Sequence, residues 1–209
     1  MRILYLDTSS SFLYSALIDN NVLLDEIKEE LNQNLSTQAL FKIEEMFHKN
    51  NILPNSIEKI IVVNGPGSFT GVRIGITIAK TYAWCLNIPV IAISSLEAMA
   101  VSSKSKVDFK VPIIDARRNY VYSSIFDSNY NSILKGQYIK LDALKVAVKS
   151  LGDNFVFVSN DDFEFPHEKY DPDILKIVKI FSSRECVNPH LLDANYLKLT
   201  EAEEKQSDN

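Results

Sequence analysis

Cysteine is scarce in this chain. Cys85 and Cys186 are far apart and form no CxxC pair, so a disulfide framework is excluded and a reduced, cytosolic setting is the default. Histidine is nearly as rare. His48, His167 and His190 each stand alone, without a second ligand at metal-binding spacing. No apolar run approaches the ~18 residues of a membrane span, because Asn87 and Pro89 break the longest one. The opening MRILYLDTSSS meets Asp7 after too short an apolar stretch for a signal peptide. Positive charge is not gathered either: the net charge is −5, and apart from Arg117-Arg118 the lysines and arginines are scattered. A free-standing nucleic-acid binder carries a basic face, so any work on RNA requires a partner to supply one. Glycine is the last scarcity, and an uneven one: of six glycines, four lie between residues 65 and 75.

What is present is an ordinary soluble composition, 46% hydrophobic and 23% charged, over 209 residues. That length holds one sizeable domain or two small lobes. Residues 3–6, 14–18 and 23–30 read as a strand meander, with Asp7, Thr8 and a run of serines in its first turn. Ser36 reads as a helix N-cap, with Leu35 and Leu40 as a hydrophobic staple and Leu40, Ile43, Met46 and Phe47 as the apolar face. The β-branched run 60–63 and the run 89–93 read as strands covered on both faces, separated by a helix over about 68–86. Ser94 or Ser95 caps a further helix. Polar residues 102–110 mark a lobe boundary, giving a first lobe over 1–103, a linker over 104–110, a second and smaller lobe over 111–200, and a charged tail over 201–209. The second lobe opens with strands over 111–114 and 120–126 around a turn at 116–119, and further strands fall near 133–139 and 155–159. Both halves begin with a strand that runs into an aspartate, Asp7 or Asp115.

The glycine cluster reads Gly65-Pro66-Gly67-Ser68-Phe69-Thr70-Gly71-Val72-Arg73-Ile74-Gly75. A glycine-rich turn before a helix N-terminus is able to cradle phosphate. GxGxxG fails here at Thr70, however, and no Gly-Lys-Ser/Thr follows. A packing role explains more. Gly71, Gly75, Ala79 and Ala83 recur at i, i+4 as one small-residue stripe that admits another backbone, and helical glycine costs roughly 1 kcal/mol, so two of them need a reason. The apolar arc of the helix, roughly 200°, is wider than one neighbour requires. The second neighbour is either within the chain or in another subunit. Trp84 falls on the polar side with Arg73 and Lys80, packed under a loop of its own chain or placed as an interface anchor.

The string from Gly65 to Gly75, followed by Ala79-Lys80, resembles the GPGSFTGxRxGxxxAK motif of the TsaB family. Residues 3–9, 93–100 and Asp115-Ala116-Arg117-Arg118 with Val121-Tyr122 resemble its ILAIDTS, SSLEALA and DARRxxVY segments, so the resemblance spans about 3–126. In the last third only Asn195-Tyr196-Leu197-Lys198 echoes the family, with Lys198 in place of arginine and Ala194 in place of proline. The resemblance implies an α/β, two-lobed fold of the actin, Hsp70 and sugar-kinase (ASKHA) group with a reduced second lobe. Catalytic members of that group hold nucleotide and metal on an aspartate hairpin in each lobe. Here those places are Asp7, Thr8, Ser9 and Asp115, without a nearby glycine, a vestigial nucleotide region. The catalytic sibling holds metal with an HxxxH pair, a spacing that sets two imidazoles on one helical face. Ser95 and Met99 stand at those positions, so neither metal, cofactor nor catalytic residue is expected.

By the same resemblance, the chain is a non-catalytic scaffold or activating subunit for adding threonylcarbamoyl to adenosine 37 of tRNAs that read ANN codons. Its partners would be a TsaD-like transferase subunit in a heterodimer and a TsaE-like P-loop ATPase, with tRNA reached only through the complex and a homodimer when alone. The interface candidates are Gly71, Arg73, Gly75, Ala79, Lys80, Ala83 and Trp84 on the long helix, with Leu40, Ile43 and Phe47 on the one before it. Two other functions compete. A small-molecule kinase of the same fold lacks its glycines, and a metallopeptidase lacks its HxxxH pair. A serine hydrolase lacks a Gly-x-Ser-x-Gly elbow. Arg117-Arg118 is either a solvated turn or a contact for RNA or an acidic partner.

Overall fold

The computed structural model describes residues 1–198; the expected tail over 201–209 lies outside them. β1 (Arg2–Asp7), β2 (Phe12–Asp19) and β3 (Val22–Glu30) form an antiparallel meander. After α1 (Leu35–Lys49), β4 (Lys59–Val63) joins β1 in parallel, and after α2 (Phe69–Leu86), β5 (Val90–Ile93) joins β4. The sheet order is β3-β2-β1-β4-β5. α3 (Ser95–Ser102) leads to a second meander of β6 (Phe109–Asp115), β7 (Tyr120–Asp127) and β8 (Ser132–Lys140). Then come α4 (Leu141–Leu151), β9 (Phe155–Ser159), β10 (Glu168–Lys169) and α5 (Ile174–Phe181). The second sheet runs β10-β9-β6-β7-β8, the same walk as the first. This repeated two-lobed α/β plan is the one the actin, Hsp70 and sugar-kinase group implied.

Burial follows from residue type. β4 (KIIVV) and β5 (VIAI) are continuous apolar runs and are buried on both faces, whereas β3 (VLLDEIKEE) alternates between half-buried and exposed as a charged sheet edge should. Outside the first sheet, α1 and α2 cover Leu4, Leu6, Ile60 and Val62. α3 and α5 cover its inner face around Tyr5, Ile61 and Ile91 and separate it from the second sheet. α4 covers the far side around Val111, Ile113 and Phe157, so the molecule stacks as helix, sheet, helix, sheet, helix. α3 starts with a capping box, in which Leu96 N–H donates to Ser94 Oγ and Ser94 N–H donates to Glu97 Oε2.

Three expectations need correction. α1 begins at Leu35, directly after a 3-10 turn over Asn32–Asn34, so Ser36 is not its cap and Leu35 is not a staple. The helix starts two residues before the point that cap would give, and its buried face runs through Leu35, Ala39, Ile43, Met46 and Phe47. Ala39 then faces the sheet, and Leu40 is 45% exposed. Second, α4 and α5 form where no helix was expected, although Leu141, Leu144 and Val148, and Ile174, Ile177, Val178 and Phe181, carry helical spacing. Third, residues 111–200 do not all belong to the second lobe. After α5 the chain returns to the first: Val187 bridges Val90, Leu192 is buried in the outer core, and Asn195 N–H donates to the Asn64 carbonyl at 2.8 Å. The first sheet needs these late residues to cover both of its faces.

Candidate functional site

The two aspartate turns face each other across a cleft of about 770 Å3 between the lobes, lined by Ser9, Ser10, Ser68, Asp115, Arg117 and Asp161 among others. Asp7 is buried, and its Oδ1 accepts the Ser9 N–H at 2.8 Å. Burial pushes its carboxyl up to about 6, partly offset by that hydrogen bond. Behind it lie Tyr5, Tyr14 and Tyr170. Burial raises all three phenols, Tyr14 to about 12, and the Tyr5 and Tyr170 hydroxyls have no partner among the described residues. Asp115 makes the matching turn in the open: its Oδ1 accepts Arg117 N–H at 2.9 Å, and its own N–H donates to Asp161 Oδ2 at 2.7 Å. Desolvation raises the Asp161 carboxyl. Arg117, Arg118 and Asn119 all lie at positive φ, which turns both arginine side chains out to solvent.

The glycine cluster closes this turn from outside. A Cβ on Gly71 would collide with the Thr8 carbonyl oxygen, and one on Gly75 would lie 2.5 Å from Thr8 Oγ1, which donates to the Gly71 carbonyl at 2.7 Å. A Cβ on Gly67 would collide with the Ser9 carbonyl oxygen, which instead accepts Ser68 N–H at 2.7 Å. Gly65 holds φ +104°, a conformation glycine tolerates best. The close approach that the stripe implied is therefore met by the chain's own first turn. It also uses up backbone donors at the start of α2: Ser68 N–H serves Ser9, and Gly71 N–H serves the Ser68 cap at 3.2 Å. Ser9 N–H is held by Asp7. A phosphate entering this turn finds these three amides already bonded.

The interface candidates divide by helix face. Gly71, Gly75, Ala79 and Ala83 on α2, and Ile43 and Phe47 on α1, are buried within this chain and present nothing to a partner. Their place in the expected interface is corrected, because both helices seat their apolar stripe on their own sheet. Leu40 and Arg73 are exposed, Lys80 is half-exposed, and Trp84 is 71% exposed. Phe41, 52% exposed beside Leu40, belongs with this outer set. It was missed because a single phenylalanine off the assumed apolar face gives no sequence signal. Arg73 lies 3.7 Å above the Phe69 ring and donates from Nε to Tyr196 Oη at 2.9 Å. Tyr196 belongs to the late segment that straps the glycine loop. Its neighbour Asn195 places its carbonyl oxygen 3.3 Å from a Cβ on Gly65.

On α3, Ser95 and Met99 point into the fold. Ser95 Oγ donates to the Pro66 carbonyl at 2.6 Å, and Met99 is packed in the inner core. Among the described residues no group of three or more His, Cys, Asp or Glu is placed to hold a metal ion, and no helix is long and apolar enough to cross a membrane.

Comparison with known proteins gives concordant results. A family model described as "TsaD: tRNA N6-adenosine threonylcarbamoyltransferase" matches residues 27–173. The tRNA threonylcarbamoyladenosine biosynthesis protein TsaB of Bacillus subtilis (strain 168) is 30% identical, over 98% of this chain and 97% of its own. The protein of the same name from Buchnera aphidicola subsp. Baizongia pistaciae is 29% identical, over 89% and 94%. Among solved structures, YeaZ from Pseudomonas aeruginosa superimposes with a TM-score of 0.74 at 21% identity, over 93% of this chain and 100% of that one. At that identity the likeness speaks to the fold alone.

Proposed function

The chain belongs to the TsaB family, and from that premise we propose that it is the non-catalytic partner of a TsaD-type subunit in adding threonylcarbamoyl to adenosine 37 of tRNAs that read ANN codons. The observation that carries this reading is the outer face of the first-lobe helix pair. Leu40, Phe41 and Trp84 are large apolar side chains left outside the core on neighbouring helices, the composition of an interface anchor. Arg73 and Lys80 edge the same face. The inactive role is supported by α3, where buried Ser95 and Met99 stand in place of the sibling's histidine pair. A kinase reading is disfavoured, because three of the amides beside the first turn, those of Ser9, Ser68 and Gly71, are already bonded within the chain. A TsaE-like ATPase completes the assembly in the cytosol, and tRNA is held by the assembly, since a net charge of −5 releases few counterions by itself. Without its partner the chain covers the same outer face by pairing with a second copy.

The test is co-purification and titration with the TsaD-type subunit. Trp84→Ala and Phe41→Ala should each weaken the heterodimer by about tenfold or more, while the unfolding free energy stays within about 0.5 kcal/mol of wild type, as for exposed positions generally. Wild-type pairing in the Trp84→Ala, Phe41→Ala double variant would place the interface elsewhere.

A further inference from the structure

The repeat between the lobes leaves one face of the second with a single covering helix, α4, where the first lobe has two. In the first lobe, α2 lies over Ile60 and Val62 of β4. The strand in the same place in the second sheet, β9, turns half-buried Phe155 and buried Phe157 to the α4 side, and no helix lies between it and β10. Instead residues 160–167 run back as an irregular segment, with Phe165 against Phe157 at 4.9 Å between ring centroids. Between that segment and α4 lies a groove of about 600 Å3, far too small for a helix but within the range of small-molecule sites.

Its chemistry is specific. The floor and one wall are the rings of Phe155, Phe157 and Phe165. Lys145 and Lys149, one turn apart on α4, form the opposite rim. Lys145 Nζ sits 4.4 Å from the Phe165 ring and makes no salt bridge among the described residues, whereas Lys149 holds exposed Asp153 at 3.3 Å. The lining carboxylate, Glu168, is committed elsewhere: it accepts from Ser103 Oγ, Ser105 Oγ and Lys104 N–H, which outweigh its burial and lower its carboxyl. It does not compete for the lysines. His167 Nδ1 lies 2.9 Å from the Phe165 carbonyl, which holds the ring at the groove's edge. From these aromatic walls under an unpaired ammonium we propose that the groove binds a small planar aromatic anion, its ring among the phenylalanines and its charge at Lys145 and Lys149. The site is independent of the first-lobe helices and of the partner role.

The test uses the full chain alone. Three probes, 2-naphthoate, 2-naphthyl phosphate and uncharged 2-naphthamide, are titrated by calorimetry, with nitrogen-proton NMR shifts mapping the site. One of the two anions should saturate, with shifts confined to residues 105, 145–149, 155–157 and 165–168, and the stronger of the two identifies the headgroup. The amide should bind about tenfold more weakly, and Lys145→Gln with Lys149→Gln should bring the anion down to the level of the amide, one charged contact's worth. Lys145→Arg should restore most of the affinity. Amide binding equal to anion binding, an unchanged double variant, or shifts centred on the interlobe cleft would overturn the proposal. So would a groove that ignores all three probes at millimolar concentration yet gains hydrogen-exchange protection from the partner subunit, which would make it a seat for protein.

Discussion

The two lobes are built on one plan and finished differently. Each sheet runs meander, crossover helix, parallel strand, and each opens on a turn whose aspartate accepts the N–H two residues on. In the first lobe the turn is sealed, with Asp7 buried and Thr8 clamped by the glycines of α2. In the second, Asp115 is exposed, and among the described residues no helix corresponds to α2. Glycine at a turn lets another group approach the backbone closely. Here the same residue type admits the protein to itself, and the Ser9, Ser68 and Gly71 amides are consumed within the chain.

Substitutions at matched places in the two lobes test that contrast. The largest effect belongs to Gly71→Ala, whose new Cβ meets the Thr8 backbone rather than a side chain free to move. It should cost about 3 kcal/mol by chemical denaturation, the upper part of the usual overpacking range. Gly75→Ala should cost less, about 1–2 kcal/mol, because alanine's better helix propensity offsets part of the clash with Thr8 Oγ1. A Gly71→Ala protein as stable as wild type would show that α2 is not seated on the first turn.

Asp7→Asn comes next, and with the opposite sign. The native carboxyl is raised from 3.8 to about 6, so its contribution is fully present below the unfolded value and is lost as pH rises through 6. Asparagine keeps the acceptor for Ser9 N–H and removes the buried charge. It should therefore stabilise by about 2 kcal/mol at pH 8 and by nothing near pH 4. Destabilisation at pH 8, or a gain that does not depend on pH, would break the comparison. The smallest effects fall in the second lobe: exposed Asp115→Asn, and Gly136→Ala, where a Cβ reaches Leu96 and Leu197 only at 3.4 Å, should each change stability by about 0.5 kcal/mol or less.

Where a segment is buried on both faces, as in β4 and β5, the unbroken β-branched run announces it. The cap of α3, expected at Ser94 or Ser95, falls at Ser94, where the capping box to Glu97 is local in sequence. The stripe Gly71, Gly75, Ala79, Ala83 shows that something must come close, but the approaching atoms belong to Thr8, more than sixty residues earlier, and no local pattern links them. The same holds for Tyr196 on Arg73 and for the three phenols behind Asp7, whose rings meet only once both lobes are in place. On α1, Leu40 and Ala39 lie three and four residues before Ile43, both at helical spacing, and the buried face takes Ala39. Residues 160–167 carry no periodicity to read, so the groove they border appears only in three dimensions.

The return of the chain after α5 makes the second lobe an insertion within the first. During synthesis the ribosome delivers the five strands of the first sheet by residue 93, yet the inner face waits for Ile174, Ile177 and Phe181 and the outer one for Leu192. Contacts of such long sequence separation form late. The nascent first lobe therefore spends the translation of nearly half its length with apolar surface uncovered, a window for chaperones. A message truncated before codon 174 should yield a chain that holds its strands and aggregates, while one ending just beyond 198 should fold.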